Sequence, residues 1–310
     1  MWPGLQSVRP LAAFAIASVL IGACAPAASV GSPSASAGRI ASLSPTAVST
    51  EVPASASPSA GPSADLAHPV GIIAIGHSGL TGEGTGAMSE PRYPNSWATG
   101  TNPDVQSVYL RMVAAHPETE GHVSNTAVGG APASTLSSQA QAALAKVPAP
   151  ALAIIQTVDN DIQCDAANAK AVGASLAKVL ELIHGASPNT KILVVGQLGR
   201  PSVAYVKDLV AYDPSAKYAL TWNDDCTFFD GAGRLHEAGF EKLTKAIDAY
   251  EAETARVCAT VPNCVTDGGV RRAWTDKIEL FSADYAHLNK EGQAAEAELI
   301  WPVVERLLGG

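Results

Sequence analysis

Two apolar patterns alternate along the chain from residue 70 onward. Short, nearly continuous apolar runs occur at residues 70–75 (VGIIAI), 151–158 (ALAIIQTV) and 191–196 (KILVVG). Runs of this length ending in glycine or polar residues predict buried strands. Between them lie segments with helical spacing. Val172, Leu176, Val179, Leu180 and Ile183 mark one face of a helix. Asn102-Pro103 predicts a helix start, continued through Val105, Val108, Tyr109, Met112 and Val113. Further helices are predicted at 137–147, 203–210, 237–257 and 290–308, the last kinked at Trp301-Pro302. Residues 278–281 predict a short strand. Strands that are apolar throughout and alternate with helices predict a mostly parallel sheet covered on both faces, a three-layer α/β/α sandwich. Ligands on such sheets sit outside the carboxyl ends of the strands.

The first 67 residues read differently. Arg9 precedes an apolar run from Leu11 to Ala23, with Cys24 directly after it. Ile21-Gly22-Ala23-Cys24 resembles a bacterial lipobox, whose cysteine becomes the lipid-modified first residue of the mature protein. The run is short for a membrane span, so residues 1–24 are expected to be a lipoprotein signal peptide, an ordinary secretory signal being the alternative. Residues 25–67 are dominated by Ala, Ser, Pro and Gly and contain no aromatic residue. They offer too little apolar surface to offset the entropy of ordering, and a disordered tether is expected. Residues 68–310 form the folded domain.

Composition narrows the partners. The net charge of -9 disfavours a nucleic-acid partner, and a hydrophobic fraction of 47% suffices for a large core. Beyond Cys24 there are Cys164, Cys226, Cys258 and Cys264. In an exported protein four cysteines suggest two disulfides, with three possible connectivities. Cys258 and Cys264 are close enough to close a small loop, which leaves Cys164 with Cys226. No cysteine or histidine spacing suits zinc; neither a metal nor a cofactor is expected, and the protein is expected to be a monomer.

Four polar clusters carry candidate chemistry. Gly76-His77-Ser78-Gly79 follows the first strand and offers a serine between glycines. Asn125-Thr126-Ala127-Val128-Gly129-Gly130 contains a glycine whose N–H can approach a substrate oxygen. Asp159-Asn160-Asp161 follows the ALAIIQTV strand, and Asn160 has an amide to donate. Asp284-Tyr285-Ala286-His287 puts a carboxylate three residues before an imidazole, so that a tight turn can hold the ring in one tautomer. Separately each cluster also reads as an ordinary turn, with Asn289 as a helix N-cap after the last.

In this order and spacing the clusters resemble the SGNH hydrolases, the GDSL-type esterases and lipases, over about residues 70–308. The resemblance implies a flavodoxin-like sandwich and a triad of Ser78, Asp284 and His287. It also implies an oxyanion hole from the Ser78 and Gly130 N–H groups and the Asn160 side chain, and a carboxylic ester of a small molecule or polymer as substrate. Two departures stand out. His77 occupies the position where the family usually has aspartate, either as a second base or as a local packing and hydrogen-bonding group. Val158 replaces the glycine that usually opens the third block. Residues 79–101 and 211–236, with Arg92, Tyr93, Trp97, Tyr212, Trp222, Phe228 and Phe229, are candidate specificity loops, or simply pack. An α/β-hydrolase is disfavoured because Gly76-His77-Ser78-Gly79-Leu80 lacks the final glycine of G-x-S-x-G. A non-catalytic surface binding protein on the same fold is the other alternative.

Overall fold

The computed structural model describes residues 67–86, 90–219 and 226–309. The expected signal segment and tether, with Cys24, lie outside the described residues apart from Ala67, as does Trp222. The apolar runs become β1 (Ile72–Gly76), β3 (Leu152–Gln156) and β4 (Lys191–Val195), the three central strands of a five-stranded parallel sheet. β2 (Val123–Asn125) and β5 (Cys264–Thr266) form its edges, and the order is β2-β1-β3-β4-β5. Ile72 is in register with Val123 on one side and Leu152 on the other, and Leu152 with Lys191.

Alternate residues of each central strand feed opposite cores. Ile73, Ile75, Ile155 and Val194 pack against α2 (Leu136–Lys146), α3 (Ala169–Ala186) and the far half of α6 (Glu237–Cys258). Ile72, Ala74, Ile154 and Leu193 pack against α1 (Val108–Ala115), α7 (Lys290–Leu308) and Trp97. This is the expected three-layer α/β/α sandwich. A third cluster joins α4 (Val203–Tyr212) to α6 through Val206, Phe228, Phe240, Leu243 and Ile247. A short α5 (Ala216–Ala219) follows α4. No described helix is long and apolar enough to cross a membrane.

Two expectations need correction, and two short strands were not expected. The helix expected from Asn102-Pro103 starts at Val108, because Gln106 takes a positive φ of 50° and Ser107 supplies the cap, accepting from Leu110 N at 3.2 Å. The expected strand at 278–281 is a 3₁₀ turn, Ile278–Leu280, and Phe281 forms only an isolated bridge with Leu288. β2 and β5 have three residues each, VSN and CVT, too short for their periodicity to register.

The cysteines pair as expected. Cys164 bonds Cys226 and Cys258 bonds Cys264, with Cα separations of 5.7 and 5.4 Å, both within the usual disulfide range. In a doubly wound sheet of this order the crevice opens where the chain reverses direction across the sheet, between the carboxyl ends of β1 and β3.

Candidate active site

Ser78 lies at that crevice. Gly76 ends β1 with φ at +144°, and a Cβ there would sit 1.9 Å from the Gln156 carbonyl oxygen, so only glycine fits. Gln139 brackets the same residue, accepting from Gly76 N at 2.6 Å and donating to Gly76 O at 3.0 Å. Ser78–Leu80 is a 3₁₀ turn, and the Trp97 indole donates to Gly79 O at 3.0 Å. The serine thus sits on a short turn fixed from below.

The loops after β2 and β3 are tied to this turn and to each other. Asn125 donates to Leu80 O at 2.8 Å and to Thr99 Oγ1 at 2.7 Å. Its own Oδ1 accepts from Ala127 N at 3.1 Å, which starts the loop toward Gly130, where φ is +73°. After β3, Asp159–Asp161 forms a 3₁₀ turn. The Asn160 amide donates to Ala131 O at 3.2 Å, which leaves its second N–H for another acceptor. Asp161 accepts from Ala133 N at 2.7 Å, and its carbonyl accepts from Asn168 Nδ2 and Tyr250 Oη, both at 2.9 Å. Sequence reasoning did not give Asp161 this bracing role. The signal available was its place next to Asn160.

Val158 enters the turn with φ at 101°, a conformation costly for a β-branched residue. That is a backbone conformation glycine adopts freely. Such strain costs on the order of 1–3 kcal/mol. The Val158 side chain is buried in the core on the α2 and α3 side, and burying a valine returns about 1.5–3 kcal/mol. The two nearly cancel, so the valine is tolerated.

Asp284 and His287 occupy one tight loop before α7. The Asp284 carboxylate accepts from His287 Nδ1 at 2.8 Å through one oxygen. Through the other it accepts from the backbone N–H of Ala286 and of His287, each at 2.9 Å, and from Ser282 Oγ at 2.6 Å. Asn289 caps α7, accepting from Gly292 N at 2.9 Å, so the bland reading of that residue also holds. Burial pushes the Asp284 pKa up, but the hydrogen bonds from His287, Ser282 and the backbone outweigh it and hold the carboxyl far below its usual range. The bond to Asp284 raises the His287 pKa, against burial and together with the negative charges of Asp284, Glu83 and Asp159. With Nδ1 committed to Asp284, Nε2 is the nitrogen left to take a proton.

One cleft of about 560 Å³ is lined by Ser78, Gly130, Asn160, Asp284 and His287 together. Among the described residues no hydrogen bond joins Ser78 directly to His287. One apolar wall of the cleft is made by Ile162, Val206, Phe228, Leu243 and Ile247, which pack together. Of the candidate specificity residues, Phe228 belongs to this wall, Trp97 is fully buried in the core, and Tyr212 is 71% exposed. Arg271 and Glu296, which also line the cleft, form a buried ion pair at 2.8 Å, which sequence reasoning also missed. His77 is buried and faces Asp159 rather than solvent, its Nε2 lying 3.2 Å from Oδ2. Among the described residues no group of three or more His, Cys, Asp or Glu side chains is placed to hold a metal ion.

No protein-family model and no curated protein matches the chain. Among solved structures it is similar to an extracellular lipase from Streptomyces rimosus at 18% identity, covering 77% of this chain and 99% of the lipase with a TM-score of 0.48. It is similar to a phospholipase A1 from Streptomyces albidoflavus at 14% identity, covering 77% and 99% with a TM-score of 0.45. It is also similar to a family two carbohydrate esterase from Cellvibrio japonicus at 14% identity, covering 77% and 61% with a TM-score of 0.45.

Proposed function

We propose that this chain is a serine esterase of the SGNH type that cleaves carboxylic esters through an acyl-serine. The observation that carries this reading is the convergence of Ser78, His287, Asp284, Gly130 and Asn160 on one cleft at the β1/β3 switch point. In this reading His287 Nε2 takes the Ser78 proton as Oγ attacks the ester carbonyl, and Asp284 stabilises the imidazolium. The Ser78 and Gly130 N–H groups and the free Asn160 N–H receive the oxyanion. His287 then protonates the leaving alcohol, and water repeats the sequence to release the acid. The apolar wall of the cleft supports an ester with an apolar acyl group. The lipobox-like Cys24 and the two disulfides support an exported domain held at a membrane by residues 25–67.

The test is labelling with a fluorophosphonate probe, with p-nitrophenyl esters of increasing chain length as substrates. The label should map to Ser78, and Ser78→Ala should lose both label and turnover while keeping its fold. Unchanged hydrolysis by Ser78→Ala would refute the assignment. Absence of labelling and turnover in the wild-type protein would favour a binding role for the same cleft.

A further inference from the structure

His77 stands next to the nucleophile but is only 2% exposed, so it cannot meet a substrate as a base. Its ring is contacted at both nitrogens, by a hydrogen bond at one and at ion-pair distance, without hydrogen-bond geometry, at the other. Gly79 N–H donates to Nδ1 at 3.2 Å, so that nitrogen carries a lone pair and the proton sits on Nε2. Nε2 faces Asp159 Oδ2 at 3.2 Å. One imidazole thus links the backbone of the serine turn to the turn that carries Asn160, the residue adjoining Asp159. Asn160 and Asp161 are tied to the Gly130 loop through Ala131 and Ala133. Among the described residues the His77–Asp159 contact, at ion-pair distance, is the side-chain contact that joins the serine turn directly to residues 159–161.

We propose that His77 and Asp159 form a clasp that sets the distance between the nucleophile and the Asn160 oxyanion donor. His77 is then a positioning residue, not a catalytic one. The inference rests on the serine-esterase reading of the cleft. Its physical basis is that an oxyanion donor works only at about 3 Å from where the charge develops. A displacement of about 1 Å can cost 10²-fold in rate. The clasp spans the two loops that must keep that distance, and the turn it holds begins at the positive-φ Val158.

Two substitutions separate the two contacts. Gln in place of His77 puts an amide N–H near the Nε2 position and keeps the contact with Asp159 while losing the acceptor for Gly79. Asn puts its oxygen near the Nδ1 position and does the reverse. His77→Asn should lower kcat by about 10- to 100-fold with KM within about twofold, and His77→Gln should retain most of kcat. Asp159→Ala, at a side chain 30% exposed, should reproduce the His77→Asn loss and supplies the test if His77→Asn does not fold. In an Asn160→Ala background, His77→Asn or Asp159→Ala should cost little further kcat, because the donor they position is gone. Equal losses for the Gln and Asn variants, or a full multiplicative loss in the Asn160→Ala background, would overturn the clasp. If Ser78 labels normally and both His77→Asn and Asp159→Ala match wild type, the clasp alone fails. If Ser78 does not label, the esterase reading fails and the clasp with it.

Discussion

All four hydrogen bonds that the Asp284 carboxylate accepts come from the loop that contains His287. Four hydrogen bonds converge on its two oxygens, and a carboxylate so satisfied stays ionised in mildly acidic solution. Its charge stabilises the imidazolium, which is why the His287 pKa is raised. A base works only when neutral, so in the proposed mechanism activity should rise as pH increases through a value above histidine's ordinary one. The acidic limb of kcat/KM should reflect this. Asp284→Asn removes the charge and permits the wrong tautomer, so turnover should fall on the order of 10⁴-fold. The acidic limb of the residual activity should move to lower pH. A limb that does not move would mean that Asp284 does not set the His287 ionisation. This pair was legible because aspartate and histidine three residues apart meet in a single turn. The buried Arg271–Glu296 pair was not, since its partners are 25 residues apart in sequence and meet only through the fold.

At the scale of elements, the sequence marked what is apolar throughout and missed what is short. β1, β3 and β4 are buried on both faces and therefore appear as runs of apolar residues. β2 and β5 are edges of three residues, and α1 begins late because a single positive φ at Gln106 interrupts the approach. None of these depends on a pattern long enough to read. The disulfides depend on spacing, and they brace different elements. Cys258–Cys264 closes only the turn from α6 into β5. Cys164–Cys226 spans 62 residues and ties the segment after the Asn160 turn to the one carrying Phe228. On a chain-entropy account the long loop is worth about 4 kcal/mol and the short one about 2 kcal/mol. The double substitution Cys164→Ser with Cys226→Ser should therefore lower the urea midpoint more than Cys258→Ser with Cys264→Ser. It should also raise KM for long-chain esters more than for acetate, because Phe228 lines the apolar wall. Equal midpoints for the two double variants would show that loop length does not govern their contribution.

Over the whole molecule, stability and activity should have opposite pH dependence. Burial pushes Asp276 up to about 6. It also pushes Glu296 up to about 7, although Arg271 is in contact. For both groups the folded pKa lies above the unfolded one, so their contribution to stability is fully present below about pH 4 and is lost as pH rises through 6 and 7. His287 has a raised pKa and acts in the same direction. Asp284 and Asp248 have depressed pKa values and act the other way, losing their contribution only as pH falls below the ordinary carboxylate range. On these groups stability should be greater near pH 5 than near pH 8, while the proposed base needs the higher pH to be neutral. For Asp276 the loss is at most about 3 kcal/mol, given its partial exposure to solvent. Urea unfolding should therefore show a higher midpoint at pH 5 than at pH 8. Asp276→Asn, neutral at both, should narrow the difference by raising the midpoint at pH 8. Equal wild-type midpoints at the two values would mean that these carboxyls ionise in the folded state as they do in the unfolded chain. An unchanged gap in Asp276→Asn would assign the decline to Glu296 and His287 instead.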